Sequence, residues 1–271
     1  MLVGSALALR AGVFAWQPAL LCLVFALLVQ IGTNFANDYS DWIKGADRED
    51  RLGPRRAVAS GLIPARTMAR ATFAIFLAAF AAGSSLIPWG GWVLLPIGLA
   101  SLLFGWAYTG GPYPLAYHGL GDVFVFVFFG LVAVGGTYFV MARSLDTLVV
   151  IAATPVGLLA TNILVVNNYR DMETDARAAK RTSVVRFGRG FARLQYTISF
   201  VVAFGIPAIV ALGRRSPLLA LPLLALPLAL PLVRELASTT DGPALNRLLA
   251  RTARALLVHG VLWSAALAIS K

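Results

Sequence analysis

The sequence predicts an all-α fold: a multi-pass transmembrane helix bundle of about nine spans, the first short, around a central cavity open to the cytoplasmic side. Three observations predict it. Hydrophobic residues make up 59% of the 271 residues and charged residues only 13%, with a mean hydropathy of +0.78, too apolar for a soluble domain of this size. Apolar windows long enough to cross a hydrocarbon core of roughly 30 Å recur along the whole chain. Between them, the basic residues fall in alternate loops.

The chain opens on a short apolar stretch, 1–9, followed by Arg10. Nothing in it has the basic start and small-residue cleavage site of a removable signal peptide. The second window, 18–36, runs into a polar end containing Asn34, Asn37, Asp38 and Asp41, and Lys44-Gly45 marks its stop. The loop to the third window, 67–87, carries seven basic residues from Lys44 to Arg70. The fourth window, 91–109, leads through a glycine- and proline-rich turn to the fifth, 120–141, and the sixth, 147–168, ends in a second polar stretch. Seven more basic residues, Arg170 to Arg193, precede the seventh window, 195–213. The eighth, 217–233, holds prolines at 217, 222, 227 and 231, which predict a kinked span whose freed carbonyls find partners on neighbouring helices. Arg234, Arg247, Arg251 and Arg254 then lead into the ninth, 250–269.

Eighteen of the 23 lysines and arginines thus lie on one side, leaving Arg10, Arg143, Arg214, Arg215 and Lys271 for the other. The positive-inside rule makes the rich side cytoplasmic. The net charge of +11 therefore reads as membrane topology and not as a nucleic-acid surface. The single cysteine, Cys22, lies within an apolar window, so no internal disulfide forms. Every long polar segment joins two spans, which makes residues 1–271 a single membrane domain.

Eight of the twelve acidic residues concentrate at the two polar ends or just beyond them. Asn34, Asp38 and Asp41 stand at offsets 0, 4 and 7, and Asn168, Asp171 and Asp175 at 0, 3 and 7, so each set forms a stripe on one helical face. Carboxylates at the mouth of a membrane bundle are costly to bury and mark a site by default. Asp38, Asp41, Asp47, Asp171 and Asp175 offer hard oxygen donors with no His or Cys cluster, which suits Mg2+ bound through carboxylates, waters and phosphate. Arg51, Arg55 and Arg56 follow the first stripe, and Lys180, Arg181 and Arg186 the second. Cations beside a metal site fit an anion such as diphosphate, held by bidentate guanidinium contacts as well as by the ion. Positive-inside topology alone is the competing explanation for these cations, and solvated helix ends for the carboxylates. No G-x-x-x-x-G-K-[ST] loop occurs, and Gly188-Arg-Gly190 lacks the rest of a dinucleotide fingerprint. His118 and His259 read as structural.

The strings N-F-A-N-D-Y-S-D-W-I-K-G-A-D (Asn34 to Asp47), N-N-Y-R-D-M-E-T-D (Asn167 to Asp175) and A-K-R-T-S-V-V-R-F-G (Ala179 to Gly188) resemble the UbiA superfamily of intramembrane aromatic prenyltransferases. The spacing of Asp38, Asp41 and Asp47, the run Arg51-Leu-Gly-Pro-Arg-Arg56 with Ser60-Gly61, and Tyr108-Thr-Gly-Gly-Pro-Tyr-Pro114 leading to Gly119-Leu-Gly-Asp122 look most like its MenA type, the 1,4-dihydroxy-2-naphthoate polyprenyltransferases. Members usually open with an Arg-Pro segment and a full first helix, whereas this chain opens at Met1-Leu-Val-Gly, partway into the equivalent helix.

The resemblance implies a polyprenyl diphosphate donor, a naphthoate acceptor, Mg2+, loss of CO2 and diphosphate, and demethylmenaquinone as product. It implies catalytic roles for Asp38, Asp171 and Lys180, and substrate contacts from Asn34, Asn37, Arg55, Arg56, Tyr108, Asp122, Asn168 and Arg181. It also places the chain in the cell (inner) membrane with the site facing the cytoplasm. Tyr108 and Asp122 remain open between orienting the acceptor and serving as interface residues. Phe124, Phe126, Phe128 and Phe129 remain open between a tunnel wall and lipid-facing packing, with at least half expected to face lipid. The rivals are a UbiA-type enzyme acting on 4-hydroxybenzoate or homogentisate and, from another class, a transporter with carboxylates along its path. A CDP-alcohol phosphotransferase is set aside because D-G-x-x-A-R is absent.

Overall fold

The computed structural model describes residues 1–46 and 52–270. Among the described residues, ten helices of six residues or more follow in order: α1 (Leu2–Arg10), α2 (Trp16–Ile43), α3 (Ala65–Gly90), α4 (Leu94–Ala107), α5 (Gly121–Ala142), α6 (Thr147–Arg170), α7 (Met172–Arg177), α8 (Ser183–Gly213), α9 (Pro217–Ser238) and α10 (Gly242–Ile269). No strand occurs among the described residues. Seven of these helices are long and apolar enough to cross a membrane, and α4, α1 and α7 are shorter. The chain is an integral membrane protein, and each apolar window of the sequence coincides with a helix.

Local signals set the ends. Gly45 at φ +65° stops α2, where its N–H bonds back to Trp42 and the N–H of Ala46 to Asp41. Asp146 caps α6 by accepting from the N–H of Val149, Thr182 caps α8 through Val185, and Asp241 caps α10 through Ala244. Helix α9 enters as a 3-10 segment, Pro217–Ala225, and becomes α-helical from Leu226, which is the proline-kinked span its sequence predicts. Helix α8 begins twelve residues before its apolar window, with a break at Gly188 (φ 82°, ψ 172°). Its arginine-rich opening is helical but too charged to register as an apolar window.

Helices α6, α8, α9 and α10 enclose the main core, in which Tyr169, Tyr196, Leu159 and Leu232 are fully buried. A second core, around Trp263 and Val134, joins α1 to α5, α6 and α10. On the other flank α2 packs along α3, and α4 packs against both. Between α2, α4 and α5 lies a cavity of about 500 Å³, lined by apolar side chains including Phe25, Phe104, Phe124 and Phe128.

Residues Phe126–Val132 of α5 form a π-helical segment. This wider turn brings Phe124, Phe128 and Phe129 to the cavity wall, with Phe126 facing away from it. The cavity therefore takes more of this aromatic run than an even division between cavity and lipid would give it. Against the π segment α6 packs backbone to backbone: a Cβ on Gly130 would stand 2.8 Å from Gly157 Cα, and one on Gly157 would stand 2.8 Å from the carbonyl oxygen of Phe126.

Those neighbours are backbone atoms and cannot swing aside. Gly130→Val should lower the stability of the detergent-solubilised protein by about 2 kcal/mol or more through overpacking. Gly136→Ala, where a Cβ meets nothing within 4 Å, should leave it equal or slightly higher. Thermal unfolding of both variants checks the contrast.

Candidate active site

All five polar segments that bear predicted residues meet at one end of the bundle. The C-terminal turns of α2 supply Asn34, Asn37, Asp38 and Asp41, and the loop 52–64 supplies Arg55 and Arg56. The turn 108–120 supplies Tyr108, the end of α6 with α7 supplies Asn168, Asp171 and Asp175, and the stretch 178–182 supplies Lys180 and Arg181. Asp47 lies outside the described residues. The first stripe is a single helical face, as its spacing predicts. The second is not: α6 ends at Arg170, Asp171 turns at φ −92° and ψ 9°, and Asp175 stands on the separate short helix α7. Hydrogen bonds from the N–H of Asp171 to Asn167 and from that of Asp175 to Asp171 carry the stripe across the break.

Asp38, Asp41, Asp171 and Asp175 are all buried, at 4 to 7% exposure. Burying a carboxylate is unfavourable unless its oxygens find partners, and the four find them differently. Asp38 accepts from the backbone N–H groups of Ala57 (2.9 Å) and Val58 (3.1 Å), so it folds the following loop onto α2. Asp41 accepts from the Tyr117 hydroxyl at 3.0 Å and lies 3.8 Å from Arg56 Nη2. Asp171 receives both ends of the Arg170 guanidinium, at 2.7 and 2.6 Å. Asp175 lies 3.4 Å from Lys180 Nζ, and its Oδ2 is buried with no hydrogen-bond partner.

Electrostatics tie the two motifs together. Burial pushes the Asp175 carboxyl up from 3.8 to about 6; Lys180 pulls it back, while Asp171 and Asp41 add to the rise. Burial works against the charge of Lys180, but Asp175, Asp41 and Asp171 outweigh it and hold the ammonium above its ordinary value. The Tyr108 hydroxyl is raised by burial and by Asp122, Asp175 and Asp41. Asp41 from one motif thus acts on the same groups as Asp171 and Asp175 from the other.

Tyr117 joins these parts, and it was not among the residues singled out from the sequence. Its hydroxyl holds Asp41, Lys44 and Lys180 approach its ring at 4.7 and 5.9 Å, and its carbonyl accepts from the N–H of Arg181 at 3.1 Å. It sits between the Tyr108–Pro114 run and Gly119–Asp122, and the placement of an aromatic residue among charged partners was its only available signal.

Asn37 Oδ1 accepts from the Thr109 hydroxyl at 2.8 Å, and Lys44 donates to the Thr109 carbonyl, which fixes the turn 108–120 on α2. Asn34, Asn37 and Tyr108 line the upper part of the apolar cavity, so the charged cluster stands at its mouth. Asn168 is buried beside the second motif, and Arg55 and Arg181 are exposed around it. Asp122 faces the other way: its Oδ2 accepts from the Ser183 hydroxyl (2.5 Å) and the Gln195 amide (3.1 Å), bridging α5 to α8. His118 stacks on Tyr113 with ring centroids 3.6 Å apart, and His259 is buried against the Ala203 carbonyl. Among the described residues no three His, Cys, Asp or Glu side chains close into one metal-binding group. The arrangement offers carboxylate oxygens from two sides, a mode that suits an ion completed by water and phosphate.

Comparison with known proteins follows the same outline. The UbiA prenyltransferase family model matches residues 1–264. The chain is 38% identical over 259 residues to the 1,4-dihydroxy-2-naphthoate octaprenyltransferase of Mycobacterium leprae, covering 94% of this chain and 86% of that one. It is 36% identical over 270 residues to the protein of the same name from Escherichia coli, covering 97% and 88%. In fold it is similar to a solved UbiA homologue from Archaeoglobus fulgidus bound to DMAPP and Mg2+, with a TM-score of 0.62 at 16% identity over 97% of this chain and 94% of that one.

The raised Asp175 carboxyl has a definite sign. A folded-state value above 3.8 means that this group favours the folded chain most below pH 3.8 and loses that contribution as pH rises through about 6. Lys180→Met removes the cation that opposes burial and should move the Asp175 midpoint above about 6. Infrared titration of the protonated carboxyl band, with Asp175→Asn to assign it, measures the shift; an unchanged or lower midpoint contradicts this geometry.

Proposed function

The chain belongs to the UbiA prenyltransferase family, and on that footing we propose that it transfers a polyprenyl group from polyprenyl diphosphate to 1,4-dihydroxy-2-naphthoate in menaquinone biosynthesis. The observation that carries this reading is the 36 to 38% identity, along nearly the whole chain, to relatives that bear that activity in their names. The bond from the allylic carbon to the diphosphate oxygen breaks, and a bond from that carbon to the acceptor ring forms. The ring carboxyl leaves as CO2, and the product is the demethylmenaquinone skeleton in its quinol form.

Mg2+ fits the donor set: the oxygens are hard, they come from both motifs, and Asp175 Oδ2 is buried without a partner. Asp38, Asp41, Asp47, Asp171 and Asp175 would hold the ion, which would supply positive charge to offset that developing on the departing diphosphate. The chain's own residues do the rest. Lys180, held protonated by three carboxylates, donates to the diphosphate oxygens, and Arg55, Arg56 and Arg181 surround the same mouth with further donors. Asn34, Asn37 and Tyr108 border the cavity on the side of the charged cluster, where the allylic carbon would lie, and Asn168 would contact the substrate from beside the second motif. Phe104, Phe124 and Phe128 line that cavity and keep water from a cation-like carbon. Asp122 acts through the α5–α8 bridge, which sets the position of the turn carrying Tyr108. With eighteen of 23 basic residues on the site's side of the bundle, the site faces the cytoplasm from the inner membrane. Residues 1–271 act as one domain.

Asp175→Asn and Asp41→Asn keep side-chain shape and remove charge, so each should lower turnover at least ~10²-fold with unchanged protein in the membrane. Chelation of Mg2+ should do the same. Purified protein given one polyprenyl diphosphate and a mixture of naphthoate, 4-hydroxybenzoate and homogentisate should yield only the decarboxylated naphthoate product by mass analysis. Retained turnover in either variant defeats the site, and a product on another ring defeats the acceptor.

A further inference from the structure

We propose that Arg170 and Asn246 form a positioning relay that fixes Asp171 and the arginine-bearing loop relative to one another. This inference rests on the site reading above and assigns a role to two residues that it does not use. Adjacent residues on a helix do not face each other, so a guanidinium does not ordinarily grip the carboxylate next in sequence. Here α6 ends at Arg170 and Asp171 turns out of helical geometry, which lets its carboxylate fold back onto the guanidinium. Arg170 is 2% exposed. Its Nε and Nη2 donate to the two oxygens of Asp171, Nη2 also donates to Asn167 Oδ1 at 2.8 Å, and Nη1 donates to Asn246 Oδ1 at 2.6 Å.

A guanidinium has five N–H donors; four hydrogen bonds within the protein leave a single N–H, on Nη1, in a side chain only 2% exposed, too little for the bidentate grip of an incoming anion. Arg170 is therefore a different kind of residue from Arg55 and Arg181: its donors are spent on holding the carboxylate plane of Asp171. Asn246, on the far-distant α10, passes the contact on, its Nδ2 donating to the carbonyl of Leu52 at 2.9 Å. Asp38 holds the same loop at Ala57 and Val58. The loop carrying Arg55 and Arg56 is thus fastened at one end to the first motif and at the other, through Asn246 and Arg170, to the second. Partners one step removed from a metal ligand typically change affinity 10- to 100-fold when lost.

The test uses the full chain in nanodiscs, titrated with Mg2+ and inorganic diphosphate together and followed by thermal shift, alongside prenyl-transfer kinetics. Asn246→Leu should weaken the Mg2+–diphosphate midpoint about tenfold and raise KM for polyprenyl diphosphate in step, with KM for the acceptor unchanged. Asn246→Asp keeps the acceptor for Arg170 but removes the donor to Leu52, and should show a smaller loss of the same kind. Arg170→Lys should show the larger loss, and Arg170→Lys with Asn246→Leu should be no worse than Arg170→Lys alone. If Arg170→Lys does not fold, the two Asn246 variants still decide. An unchanged midpoint in Asn246→Leu, or additive losses in the double variant, overturns the relay alone. A wild-type chain that binds neither Mg2+ nor diphosphate overturns the site reading, and the relay with it.

Discussion

Four carboxylates are buried at one end of this bundle, and the surrounding structure answers to the cost of keeping them there. Two like charges 4 Å apart interact by about 4 kcal/mol at an effective dielectric of 20, so the group survives only because each member is supported separately. Backbone amides hold Asp38, a phenol and an arginine hold Asp41, and a guanidinium fork holds Asp171. Among the described residues Asp175 has only Lys180, and its carboxyl is the one of the four raised to about 6. The weakest support falls on the residue with a bare oxygen. That is the pattern expected where a cation is to be received and not where charge is merely stored.

The partners that support these carboxylates come from parts of the chain remote in sequence, and satisfying the charges therefore also assembles the site. Tyr117 brings the turn 108–120 to α2, Asp38 brings in the loop after it, and Arg170 reaches α10. Helix α2 sets the scale. At 1.5 Å rise per residue, Asn34 and Asp41 are separated by about 10 Å along its axis, so one rigid element carries both the cavity wall and the charged mouth. Under the proposed function, a substrate with a charged head and an apolar body would meet both along a single helix.

Much of this was legible in the sequence, because hydropathy and charge are local. The apolar windows found their helices, Gly45 stopped α2, and the prolines of 217–231 bent α9. The carboxylate spacing gave the helical face of the first motif, while the second is broken at Asp171. What escaped depends on contacts that composition does not encode. The π segment of α5 coincides with the close approach of Gly130 to Gly157, and no periodicity in Phe124 to Phe129 announces it. Arg170 was missed because helix geometry says that neighbours diverge, and only the turn at Asp171 reverses that. Tyr117 looked like one more loop aromatic until Asp41 and two lysines were placed around it. Arg189 and Arg193, read from the sequence as topological cations, proved to grip Glu173 and the Tyr169 hydroxyl. A topological charge can also be a structural one.

The commitment of the buried cations bears on how an anion can enter. Arg170 has spent four donors inside the protein, and Lys180 owes its raised affinity for a proton to Asp175, Asp41 and Asp171. A diphosphate arriving alone would have to draw these cations from carboxylates that are themselves buried, leaving those charges uncompensated at a cost of several kcal/mol each. Arriving with a divalent ion, it meets the opposite balance, because the carboxylates gain a cation while the lysine and the exposed arginines at the rim gain an anion. On the proposed reading of the site, the two motifs would therefore favour an ion pair over either partner by itself. That property follows from the placement of four aspartates and from the way each of their cations is already held.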